Sequence, residues 1–182
     1  MPLFHLVTPA VLLGFGSTSS FADLLERKVP NQLTTSAALI GLTLRIASLF
    51  FGAATFSAFF CGLMWPAGVF LVLYVCWTIG LIGAGDVKLA TSFSFVLPSA
   101  ASTQLEFLLG SALLGGCLAV VYLPSIIPAH SKAIPVKPAP RNASLFSRLI
   151  RIEIWRARHG VGLPYAIPIS VAACGAALHH MI

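Results

Sequence analysis

Apolar residues in this chain fall into six blocks separated by short polar or turn-forming segments. The blocks run roughly Leu3–Ala22, Leu33–Gly52, Ala54–Leu81, Leu89–Ala101, Phe107–Ile127 and Gly162–Met181. A helix needs about 20 apolar residues to cross a bilayer, and five of the blocks approach or exceed that length. From Ile46 to Gly85 no residue carries a charge, a stretch that holds most of one span and all of the next. The fourth block is short, so its helix is tilted, shielded by protein, or longer than composition suggests. The second block carries Arg45 near its middle, and that cation must snorkel or face the bundle interior. The first block has no basic residue ahead of it and no A-x-A site near its end, so it reads as a span rather than a cleaved signal peptide. The pattern predicts an all-α polytopic membrane protein with about six transmembrane helices.

Composition excludes the soluble alternatives. Apolar residues make up 58% of the 182 and charged residues only 9%, against about 45–50% and about 25% in a soluble globule. So few charges could not cover the surface of a soluble enzyme, and the same shortage excludes a nucleic-acid-binding domain and a disordered tail. The formal charge of +6 is segregated rather than spread. Arg27, Lys28 and Lys88 fall in two connections, and Lys132, Lys137, Arg141, Arg148, Arg151, Arg156 and Arg158 in a third. The connections near Ala53 and Ser99–Gln104 carry no basic residue. The positive-inside rule then places both termini outside and the basic connections in the cytoplasm. Cys61, Cys76, Cys117 and Cys174 lie inside apolar stretches without a C-x-x-C pair and read as small buried hydrophobes. The whole chain, 1–182, reads as one membrane-embedded domain with a cytoplasmic loop at 124–160. That loop begins with a proline-rich linker and ends in a basic segment, Leu145–Arg158. The segment is either a helix on the anionic leaflet or a flank that only sets topology.

The two aspartates, Asp23 and Asp86, are the candidates for chemistry. Both fall on the side assigned to the cytoplasm, Asp23 at the end of the first span and Asp86 at the start of the fourth. Carboxylates at a bilayer margin are costly, so two at one depth form a candidate dyad. The plain alternative is that each marks a helix end, with Asp86 capping its helix and Asp23 pairing with Arg27. Asp86 lies in Gly83-Ala84-Gly85-Asp86-Val87-Lys88, where the glycines allow a tight turn and leave room for an extended substrate. Asp23 is followed by Arg27, Lys28, Val29, Pro30 and Asn31, where proline and asparagine stop the helix and fix a turn.

With these residues the sequence resembles the type IV prepilin peptidase family, intramembrane aspartyl proteases of the G-x-G-D type. Two blocks carry the resemblance, Asp23-x-x-x-Arg27-x-x-Pro30-Asn31 and Gly83-Ala84-Gly85-Asp86-Val87-Lys88-Leu89. A weaker third, Leu163-Pro164-Tyr165-Ala166-Ile167, is similar to the family's proline–tyrosine stretch. The resemblance implies Asp23 and Asp86 as catalytic residues, with Gly83, Gly85, Pro30, Asn31, Pro164 and Tyr165 shaping the site. It implies a pilin-like precursor as substrate, cut after its short basic leader at the cytoplasmic face of the bacterial inner membrane. Larger members carry a methyltransferase insert with paired C-x-x-C motifs after the first span. Here that connection is short and lacks cysteine, which argues against N-methylation and brings the chain closer to the peptidase-only form serving Flp/Tad-type pili.

Two carboxylates hydrolyse a peptide when one is ionised and the other protonated, a state that close like charges enforce. Asp86, at a helix N-terminus, is the expected base and Asp23 the expected acid. No metal or organic cofactor is required, and the expected partners are the precursor and membrane lipid, with no nucleic acid. Lys88 should point away from the site as a headgroup anchor. The rival readings are a proton- or ion-coupled transporter relaying through Asp23, Asp86 and Arg45, and a noncatalytic assembly subunit of a pilus or secretion machine. His179 and His180, adjacent on a helix, are poorly placed to share a metal.

Overall fold

The structure, a computed structural model, describes residues 2–26, 28–52, 54–126 and 163–181. They form six helices and, among the described residues, no strand. These are α1 (Pro2–Glu26), α2 (Asn31–Phe50), α3 (Phe56–Thr78), α4 (Ala84–Val96), α5 (Ala101–Ile126) and α6 (Ala166–His179). The readings of Arg27, of the linker beyond Ile126 and of the basic segment Leu145–Arg158 fall outside the described residues.

By length and composition, α2, α3 and α5 can each cross a membrane, and α6 is a shorter apolar helix. The surface agrees with lipid as solvent. Phe50 is 84% exposed and Leu113 70%, in the company of many other large apolar side chains. Water would not tolerate so continuous an apolar exterior. Inside, Phe93, Phe107, Leu12, Leu89 and Leu97 are fully buried among small and polar residues, Ala37, Ala90, Ala166, Ala173 and Ala177 with Ser19, Thr34, Ser92, Ser94, Gln104 and Ser170. In a bilayer helices gain nothing by hiding apolar groups from lipid, so close approach of small residues and hydrogen bonds between helices hold them.

The centre of the bundle is α4. Only 13 residues long, it spans about 20 Å, well short of a hydrocarbon core of about 30 Å. Protein encloses it: Val87, Leu89, Ala90, Ser92, Phe93, Ser94 and Val96 are all buried, and α1, α2, α3 and α6 pack around it. Of the three readings open for the fourth block, shielding by protein is the one the structure shows. The helix lies five residues earlier than the apolar block at Leu89–Ala101. Gly83 is its N-cap, Ala84 and Gly85 enter its first turn, and it stops at Leu97, held extended (φ −64°, ψ 150°) ahead of Pro98, the conformation that a following proline imposes.

Other expectations need correcting. Pro30 and Asn31 do not end α1, which stops at Glu26; Pro30 caps α2 and accepts from the N–H groups of Leu33 and Thr34. Pro124 lies within α5 rather than in a linker. All four cysteines are free but none is fully buried, with Cys61 and Cys117 exposed on the bundle exterior.

Candidate active site

Asp23 sits near the end of α1 on a face lined with small residues. A polar seam joins this face to α6. Ser170 donates to the carbonyls of Ala166 (2.7 Å) and Gly16 (3.2 Å), and Ser20 donates to the Ser170 hydroxyl (3.3 Å). The seam ends at Asp23, which is 6% exposed. Its Oδ2 accepts from the backbone N–H of Ala166, the first residue of α6, at 3.3 Å. A free N–H at a helix start favours a carboxylate through both hydrogen bond and dipole.

Asp86 is delivered by a different device. Gly80, with φ +80°, ends α3: its own N–H bonds to the Trp77 carbonyl, and the next N–H, of Leu81, bonds to the Cys76 carbonyl. This glycine-dependent Schellman closure turns the chain into the short connection that leads to Gly83. Asp86 follows in the first turn of α4, half-buried. Asp86 thus stands in the first turn of its own helix, whereas Asp23 stands in the last turn of α1 and meets the start of α6 through one N–H.

The two carboxylates line one open cavity of about 1100 Å³. Pro30, Asn31, Gly83, Gly85 and Tyr165 also line it, whereas Pro164 is fully buried beside it and supports the start of α6. Lys28, Val29 and Leu163, which lie in the motif segments, contribute as well, together with Glu26, Leu81 and Ile82, which the sequence reading passed over. Lys88 departs from expectation. It does not point away from the site but lines it, donating to Asn31 Oδ1 at 3.0 Å and tying the starts of α4 and α2 together. A lysine stem is long enough to undo a helical-wheel argument, and the wheel could not show that α2 starts beside it.

Tyr165 owes its place to Gly115. A methyl group on Gly115 would lie 2.5–2.6 Å from the tyrosine ring and hydroxyl, so the ring packs directly on the α5 backbone. Glycines at such crossings were the available signal in the sequence. Arg45 is elsewhere. It faces the bundle interior and lines a second cavity of about 250 Å³ with Thr8, Ser99 and His180, so it does not join the acids in a relay. His179 meets Glu106 at 2.9 Å on the bundle surface.

A family model described as the type IV leader peptidase family matches residues 10–120, a stretch that contains both Asp23 and Asp86 and ends before α6. No curated protein and no solved structure matches the chain.

Proposed function

The chain belongs to the type IV leader peptidase family, and from that premise we propose that it is an aspartic endopeptidase removing the basic leader of a pilin-like precursor, with Asp23 and Asp86 as its dyad. The observation that carries this reading is the single cavity lined by both acids, open at the bundle end where α1 finishes and α2, α4 and α6 begin. A peptide in that cavity lies between the carboxylates, its apolar helix running on into the membrane. On this reading the cavity faces the cytoplasm of a bacterial inner membrane and the termini of the chain lie on the other side, as the positive-inside rule requires.

Two acids on one site share a proton, since like charges disfavour double ionisation. The ionised member takes a proton from water as the water oxygen attacks the scissile carbonyl. The protonated member donates a hydrogen bond to the carbonyl oxygen, and as the tetrahedral intermediate collapses a proton passes to the leaving amine. The Ala166 N–H donates to one Asp23 oxygen and helps to fix that carboxylate at the cavity. The short α1–α2 connection leaves no room for a methyltransferase insert, so the activity is peptidase-only, the form that serves Flp/Tad-type pili.

Co-expression of a pilin-like precursor with wild type, Asp23→Asn or Asp86→Asn tests the reading. A shortened precursor is expected with wild type alone, while all three proteins insert equally. Cleavage that survives either substitution removes that aspartate from the dyad, and an uncut precursor with wild type overturns the substrate assignment.

A further inference from the structure

The far end of α4 presents an unusual problem. The helix stops inside the bundle: Arg45, which meets its last turn, lies a little over one helical turn before the end of α2, roughly 7 Å along the axis. The final carbonyls of α4 have no partner within their own helix, and beside a cavity of only about 250 Å³ neighbouring side chains must supply the donors.

Two side chains do so. Arg45 Nε donates to the Phe95 carbonyl at 2.9 Å, and Nη2 donates to the carbonyls of Ser94 (3.0 Å) and Leu97 (2.8 Å). Gln104 of α5 donates to the carbonyls of Ser94 (3.2 Å) and Pro98 (3.0 Å) and accepts from the Ser94 hydroxyl at 2.7 Å. The planar guanidinium reads three carbonyls at once, and the cation sits at the negative end of the helix dipole. Two glycines make the fit possible. A methyl group on Gly41 would lie 2.6–2.7 Å from the backbone of Phe95 and Val96, so α2 and α4 touch backbone to backbone there. A methyl group on Gly62 of α3 would collide with Arg45 Nη1.

We infer that Arg45 is a positioning residue for the dyad: by clamping the C-terminal carbonyls of α4 it sets the axial position of that helix, and so the depth at which Asp86 faces Asp23. The inference rests on the peptidase reading. Asp23 is carried by α1 and accepts from the Ala166 N–H of α6, so a slide of α4 along its axis changes the geometry between the acids. At its other end α4 is tied to α2 through the flexible Lys88–Asn31 bond. The fork of Arg45 is the rigid half of the attachment. A helix shift of about 1 Å is enough to cost on the order of 100-fold in rate.

The test pairs kinetics with a reporter of helix position. The Cβ of a residue at 85 would stand 3.8 Å from the Val29 Cβ, the spacing of a disulfide. In a background in which the four native cysteines are replaced by serine, Val29→Cys with Gly85→Cys is expected to oxidise readily. Adding Arg45→Lys keeps the charge but loses the fork, and disulfide formation in native membranes should slow at least fivefold. In the protein without the reporter cysteines, Arg45→Lys should lower kcat for precursor cleavage at least tenfold with KM within threefold. Gly62→Ala, which displaces the guanidinium without altering any charge, should reproduce both effects. An unchanged kcat in Arg45→Lys overturns the inference, as does a lower kcat with undiminished disulfide formation. The disulfide needs no catalysis, so failure of wild type to cut any precursor would sink the peptidase reading while leaving the positional readout standing.

Discussion

A methyl group on Gly83 would stand 2.9 Å from Asp86 Oδ2, so the carboxylate is folded back over the residue that caps its own helix. Gly83→Ala should therefore rotate the acid rather than unfold the protein. Expected are a stability loss under about 1 kcal/mol, the cost of an off-rotamer side chain, and a fall in precursor cleavage approaching ~100-fold. Gly85→Ala places its methyl at ordinary contact distance, 3.8 Å, from Val29. Cleavage assays on the two variants should rank Gly83→Ala well below Gly85→Ala; the reverse order would mean that Gly83 does not shape the acid.

If Asp23 and Asp86 share a proton, cleavage rate against pH should be bell-shaped. Each limb should approach a tenfold change per pH unit, and the two apparent pKa values belong to the pair. Loss of the shared proton as pH rises removes the acid, and a second proton as pH falls removes the base. A rate that rises monotonically with pH, measured on wild type in detergent, would count against the dyad.

The ring of Tyr165 lies against the bare backbone of Gly115. Gly115→Ala should overpack this crossing and destabilise the protein by about 1–3 kcal/mol in thermal unfolding. Combined with Tyr165→Ala the two losses should fall short of their sum, because the second substitution removes the group that the first collides with. Additive losses would place the ring elsewhere.

The Ser170 hydroxyl bridges α1 and α6 just behind Asp23. Ser170→Ala should cost only about 0.6 kcal/mol, the usual worth of a hydrogen bond between membrane helices. Ser170→Leu should do more, because a methyl group on Gly16 would already stand 3.0 Å from the Ser170 Cβ, leaving no space for a larger side chain. Forcing α6 from α1 draws the Ala166 N–H away from Asp23. Unfolding temperature and cleavage should fall together in Ser170→Leu, whereas Ser170→Ala should lower the first slightly and leave the second within about threefold, the factor that about 0.6 kcal/mol represents.

Much of the fold was legible because hydrophobicity is a local property. Four apolar blocks agree with helices to within a few residues, and the block at Phe107–Ile127 misses the first turns of α5, which starts at Ala101. The fourth block was displaced because Gly83 and Gly85 read as turn residues, although a helix N-terminus accepts them, and because the stop signal at Pro98 went unused. The candidate acids were legible for a related reason: only two aspartates exist, and each stands at the margin of an apolar run, Asp86 directly after Gly85 and Asp23 one short polar segment before Pro30. The contacts of Lys88 and Arg45 were not, because each depends on which helix lies alongside.

The amino-acid order alone determined an α-helical membrane chain and the identity of its two aspartates, since burying a charge in lipid carries a cost that each residue incurs wherever its helix goes. Tertiary structure decided that both acids open onto one cavity, that Lys88 turns inward to Asn31, and that a half-buried arginine finishes a helix too short to cross. Those outcomes follow from glycine-to-backbone approaches and from single hydrogen bonds between helices remote in sequence. Each is worth little by itself, and only the packed bundle satisfies them together.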